Sequence, residues 1–100
     1  MIRHTVVFKL NHAAGSEAEL DFLRAAQKLA TDIPVVKNFE ALRQTSKKNN
    51  YDFGLSMEFA SEEDYQTYNE HLLHVQFVET RWIPEIADFI EIDYKPYNEA

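Results

Sequence analysis

The sequence has no cysteine among its 100 residues. Disulfides, thiolate nucleophiles and thiolate metal sites are therefore excluded, which fits a cytoplasmic protein. Two glycines are too few for a phosphate-cradling loop, and no Gly-x-Ser-x-Gly elbow or cofactor fingerprint occurs. Positive charge is scarce as well: ten Lys and Arg stand against seventeen Asp and Glu, a net charge of −7. The only basic cluster, Lys47-Lys48, lies beside Asn49-Asn50 and reads as a solvated turn. A surface this acidic repels a phosphate backbone, so no nucleic-acid partner is expected. No apolar run approaches the length of a membrane span, so no membrane partner is expected. Met1-Ile2-Arg3-His4-Thr5 shows no apolar h-region, so no signal peptide is expected either.

What is present suits one small domain over residues 1–97, with a polar tail at 98–100 that is expected to fray. "IRHTVVFKL" alternates as a strand, with Ile2, His4, Val6, Phe8 and Leu10 on one face and Arg3, Thr5, Val7 and Lys9 on the other. "SEAE" is a capping box, Ser16 with Glu19, opening a helix whose stripe runs through Leu23, Ala26, Leu29, Ala30 and Ile33, with Phe22 beside it. Pro34 closes that helix. "VKNFEALRQTS" and "YDFGLSMEF" read as a hairpin joined by the asparagine-rich turn. Ser61 caps a second helix, with Glu62, Glu63 and Asp64 in its first turn and Tyr65, Tyr68 and Leu72 on its buried side. A short helix follows over "HVQFVETRW" and is expected to stop at Pro84. "ADFIEIDY" is the last strand, with Ile90, Ile92 and Tyr94 on one face and Phe89, Glu91 and Asp93 on the other.

The order β-α-β-β-α-β is the ferredoxin-like plan, an α+β fold with an antiparallel sheet. Helices cover one face of such a sheet, yet the first and last strands are apolar on both. Val7, Ile90, Ile92 and Tyr94 would form an exposed patch in a monomer. Packing two sheets face to face covers it, which predicts a homodimer.

Chemistry concentrates in "YNEHLLHVQF" (68–77), which holds two of the four histidines. His71 and His74 are three apart, whereas a zincin needs a step of four with glutamate between, and a third ligand is not evident. No metal is expected. Ser16 and Ser61 are committed as caps, which argues against nucleophilic catalysis. General acid–base chemistry fits best: a carboxylate on one imidazole nitrogen fixes the tautomer and leaves the other free. Asp93, on the helix side of the last strand, is expected to orient His74, and Tyr68 to offer a phenol to a substrate oxygen. Each residue has a plainer alternative. Tyr68 serves equally as core packing, His71 as a cation at a helix C-terminus, His4 as a hydrogen-bonded semi-buried residue, and Asp93 as a partner for a backbone amide.

"RHTVVFKL", "HLLHVQFV" and "FIEIDY" together resemble the stress-responsive A/B barrel domain, or Dabb, family, from Ile2 to about Tyr97. The resemblance implies a ferredoxin-like subunit in a dimeric α+β barrel. It implies no cofactor, and no assigned reaction for most members. A plant member closes a linear polyketide by aldol condensation. By motif match with it, the catalytic residues fall on His74 and Tyr68, with Asp93 supporting and His4 near the pocket. A pocket histidine of that relative falls near Phe53 and an aromatic near Ala26. Glu91 replaces an aliphatic residue, so the pocket differs in shape and polarity. The pocket is expected to be lined by His4, Val6, Phe8, Phe22, Phe53, Leu55, Met57, His71, Phe77 and Glu91. Some relatives hold a cation on backbone carbonyls of the loop that is "ATDIPVV" here; none is predicted. Three functions compete: binding of a small apolar or aromatic molecule; a cofactor-free lyase, cyclase or isomerase; and a ligand-free protective oligomer. The related antibiotic-monooxygenase and haem-degrading barrels rank lower, because the H-x-x-H-V-x-F block points away from them.

Overall fold

Alternation of apolar residues makes Ile2–Leu10 a strand, β1, and its place at the centre of the sheet follows from having partners on both sides. A computed structural model describes residues 1–98. After β1 come α1 (Glu17–Asp32), β2 (Lys37–Arg43), β3 (Phe53–Phe59), α2 (Glu62–Glu70) and α3 (Leu72–Phe77). A π-helical turn (Val78–Trp82), α4 (Ile83–Glu85) and β4 (Ile86–Tyr94) complete the chain. The four strands form one antiparallel sheet in the order β2-β3-β1-β4, the ferredoxin-like arrangement expected from the sequence. The expected frayed tail at 98–100 lies, for Glu99 and Ala100, outside the described residues.

Register sorts the side chains. β1 pairs His4 with Asp93, Val6 with Glu91 and Phe8 with Phe89, so these six share the helix-covered face. Thr5 pairs with Ile92 and Val7 with Ile90 on the open face. The core lies on the first of these faces, where Phe8, Phe53 and Leu55 pack against Phe22 and Ala26. Ile2, Met57 and Phe59 pack there with Leu29, Ile33 and Tyr68. On the open face Leu42, Ile90, Ile92 and Tyr94 keep 42–52% of their surface exposed.

The caps behave as their chemistry requires. Ser16 Oγ accepts from Glu19 N–H at 3.2 Å, although the Glu19 carboxylate reaches back to Gly15 N–H rather than to that of Ser16. Ser61 Oγ accepts from Asp64 N–H at 3.1 Å. Two expectations fail here. Leu72 is 65% exposed, because α2 ends at Glu70 and the chain turns at His71 before the stripe can continue. Pro84 does not stop the helical run. The run passes through it from the π turn and ends one residue later, at Glu85. Asn38 adopts a left-handed backbone (φ 51°) at the irregular start of β2. Among the described residues no helix is long and apolar enough to cross a membrane.

Candidate functional site

A cavity of about 350 Å³ lies between the sheet and the helices. β1 and β3 supply Val6, Leu55 and Met57 to its floor, because these residues alternate onto the helix-facing side. Ala26 and Leu29 of α1 form one wall. Phe77, Val78, Trp82 and Ile83 form the other. The π turn brings the last three there: Ile83 N–H bonds to the Val78 carbonyl five residues back, which widens the helix locally. The walls are thus apolar. Polarity comes from His4, Tyr68, Asn69, His74 and Glu91, with the indole N–H of Trp82 besides.

The geometry pairs Asp93 with a different histidine from the one expected. His4 Nδ1–H donates to Asp93 Oδ1 at 2.6 Å. The Tyr65 hydroxyl donates to the other carboxylate oxygen, Oδ2, at 2.8 Å, and its oxygen lies 2.9 Å from His4 Nδ1. Glu91 Oε1 lies 3.2 Å from the same hydroxyl and 3.6 Å from His4 Nδ1. His74 instead donates from Nδ1 to the Asn69 carbonyl at 3.1 Å. The hydrogen bond expected between His74 and Asp93 is therefore replaced by two separate ones. The cause is register: β1 sits beside β4 with His4 directly opposite Asp93, whereas His74 lies on α3 and turns back onto the end of α2.

Carboxylates and carbonyls only accept, so both imidazoles carry their proton on Nδ1. Nε2 of each makes no hydrogen bond among the described residues. His4 is only 8% exposed, yet no fully buried side-chain nitrogen or oxygen lacks a partner among the described residues. Nε2 of His4 is therefore reached by solvent, and the ring lines the cavity. The His74 ring stacks at a tilt on Tyr68, with centroids 4.4 Å apart. Burial lowers the His74 pKa, opposed by its bond to the Asn69 carbonyl and assisted by His4 nearby. Burial raises the Tyr68 phenol, and the Glu91 charge adds to that. Tyr65 is raised as well, by burial and then by its bond to Asp93.

Of the other expected lining residues, Phe77 and Glu91 reach the cavity, while Phe8, Phe22, Phe53 and His71 do not. Phe8 and Phe22 are fully buried behind it, with Trp82 packed on Phe8 at 5.3 Å between centroids and facing the cavity in their place. Phe53, on the adjoining stretch of β3, borders a smaller cavity of about 210 Å³ with His12, Arg43 and Asp52. His71 caps α3, its Nδ1 accepting from Leu73 N–H at 3.1 Å, rather than facing the end of α2 as the plainer alternative had it. Sequence reasoning missed Tyr65, Asn69 and Trp82. Tyr65 was legible as a buried-side residue three before Tyr68, but only the sheet register shows what its hydroxyl meets. His4, Glu91 and Asp93 present ligand atoms within 4.8 Å of one another, a grouping that could hold a metal ion and that the sequence reading did not foresee.

The model of the stress responsive A/B barrel domain matches residues 2–96. The chain is similar to a Mesorhizobium loti Dabb family protein with a ferredoxin-like fold, at 52% identity over 97% of each chain and a TM-score of 0.95. It is also similar to a dimeric ferredoxin-like protein of unknown function from Thermobifida fusca, at 24% identity over 95% of this chain and 90% of that one (TM-score 0.77). A hydroxynitrile lyase from Passiflora edulis shares the fold at 12% identity, over 99% of this chain and 95% of that one (TM-score 0.86). None of the curated proteins matches the chain. With its sheet order, its helix-covered cavity and the match along nearly its whole length, the chain belongs to the stress responsive A/B barrel domain (Dabb) family.

Proposed function

We propose that this protein binds a small apolar or aromatic molecule in the cavity between sheet and helices, and does so as a homodimer. The cavity carries this reading. At about 350 Å³ it is within the range of ligand sites, with apolar walls and a few polar groups gathered at one end. The open face of the sheet supports the dimer. Leu42, Val7 and Ile90 lie in one row across it, with Gly54 between Leu42 and Val7. A Cβ on Gly54 would meet nothing closer than 3.7 Å, so nothing within the protomer requires glycine there. Its bare backbone leaves room for a second copy to approach. The related Thermobifida fusca structure is described as dimeric.

A second reading, a cofactor-independent lyase, cyclase or isomerase, is favoured by one observation: both cavity histidines have a tautomer fixed at Nδ1 and an unpaired Nε2. A neutral Nε2 is a general base at neutral pH. The lowered pKa keeps His74 in that state, and the raised Tyr68 phenol keeps a proton to share with a substrate oxygen. In this scheme Asp93 holds His4 rather than His74.

NMR titration with a panel of neutral one- and two-ring compounds tests the binding reading. Saturable shifts at Leu55, Met57 and Trp82 are expected. Ala26→Phe fills the cavity from α1 and should weaken those titrations at least about tenfold. If no compound in the panel saturates, the cavity is not a binding site.

A further inference from the structure

At the polar end of the cavity the two donors beside the carboxylates are already engaged within the protein. Two protons stand near two carboxylates there, on His4 Nδ1 and on the Tyr65 hydroxyl. Asp93 takes both, at 2.6 and 2.8 Å on its two separate oxygens. Glu91, two residues earlier on the same face of β4, is left with the longer bond, from the Tyr65 hydroxyl at 3.2 Å, which it shares with the closer Asp93; His4 Nδ1 at 3.6 Å is beyond hydrogen-bond reach. Among the described residues Glu91 has no lysine or arginine partner; its one ion-pair contact is the long one to His4. The carboxylate nevertheless lines the cavity.

His74 adds to the same imbalance. With its Nδ1–H committed to the Asn69 carbonyl and burial favouring the neutral ring, it offers an acceptor, Nε2, to whatever enters. The polar end thus presents a carboxylate and the His74 acceptor, beside the neutral donors of Tyr68, Asn69 and Trp82. Among the described residues no lysine or arginine lines the cavity. A ligand carboxylate or phosphate would meet like charge and unpaired lone pairs. A ligand with N–H or O–H donors would satisfy them, and a positive one would gain a charge-assisted bond as well.

We propose that the cavity selects a molecule with an apolar, ring-sized body and a hydrogen-bond-donating, preferentially cationic head, an arylalkyl amine in chemical class, and that Glu91 is the residue that sets this preference. The inference rests on the binding reading above and goes beyond it by assigning the charge of the ligand. Because Glu91 is half exposed, solvent and salt screen the interaction and the preference is moderate in size.

Three probes with a common phenyl body separate the two claims: 2-phenylethylamine, 2-phenylethanol and 3-phenylpropionate, titrated against the full chain by NMR at pH 7.5 with a chelator present. The amine is expected to bind at least about fivefold more tightly than the alcohol, and the carboxylate at least about tenfold more weakly than the alcohol. Raising salt from about 0.05 M to 0.5 M should shrink the advantage of the amine. Glu91→Gln should bring the amine-to-alcohol ratio to near one. The salt series on the unmodified protein gives the same information if that variant does not fold. Equal or tighter binding of the carboxylate overturns the inference and leaves the cavity as a binding site. So does an amine preference that survives both Glu91→Gln and high salt. If none of the three probes binds, the binding reading fails and this inference with it.

Discussion

Replacing Asp93 by alanine removes the acceptor for two protons at once. His4 is 8% exposed, so its Nδ1–H is left with the neutral Tyr65 oxygen at 2.9 Å in place of a carboxylate. Exchanging a charge-assisted bond for a neutral one costs about 1–2 kcal/mol. The Tyr65 hydroxyl loses less, because Glu91 Oε1 already lies 3.2 Å away and can accept from it. Asp93 itself is 39% exposed, so little desolvation is recovered by deleting it. The sum is a loss of about 2 kcal/mol, a drop in urea midpoint of roughly 1–2 M for a domain of this size. Urea denaturation at one fixed protein concentration measures it, since any dimer makes stability concentration-dependent. Asp93→Asn keeps an acceptor and should cost about half as much. A double-mutant cycle with His4→Phe should return a coupling of about 1 kcal/mol, and one with His74→Phe essentially none. A loss below about 0.5 kcal/mol with additive behaviour toward His4 would refute the assignment. A coupling to His74 instead would restore the pair expected from the sequence alone.

Sedimentation at micromolar concentration should give about twice the chain mass of 11.7 kDa, and Ile92→Asp on the open face should halve it, since burying an unpaired charge costs several kcal/mol. A monomeric wild type would remove the dimer. Burial holds the His74 pKa below the usual imidazole value of about 6.5, so the folded state keeps this ring neutral where the unfolded chain takes up a proton. The unfolded state then binds more protons as pH falls below about 6.5, and stability is lost from there down through the folded pKa, with none of this loss above pH 7.5. NMR titration of the His74 ring checks the direction, and a midpoint above 6.5 contradicts it.

The strands and caps were legible because short-range chemistry determines them. Period-two alternation placed Ile2, His4, Val6, Phe8 and Leu10 on one face, and all five are buried together. The same alternation put Asp93 on the helix side, which the register confirms. What alternation does not encode is which residue lies opposite which across 89 positions of chain. His4 and Asp93 were each assigned to the correct face, and the central place of β1 in the ferredoxin-like plan makes β4 its neighbour. Their pairing was therefore within reach, but the proximity of Tyr68 and His74 in sequence drew Asp93 to the wrong ring. Helix ends were harder still. The break at His71 and the π turn at Val78–Trp82 depend on tertiary packing over the cavity, and they alone decide that Leu72 is exposed and Trp82 lines the pocket.

The central claim is that the space between sheet and helices, and not the open face, receives a small molecule. Intermolecular NOEs from a neutral ring compound such as 2-phenylethanol locate it directly. Contacts are predicted to the Met57 methyl, the Leu55 methyls and the Trp82 ring, all of which line the cavity. NOEs confined to Ile90, Ile92 and Tyr94, with none to Met57, Leu55 or Trp82, would contradict the account.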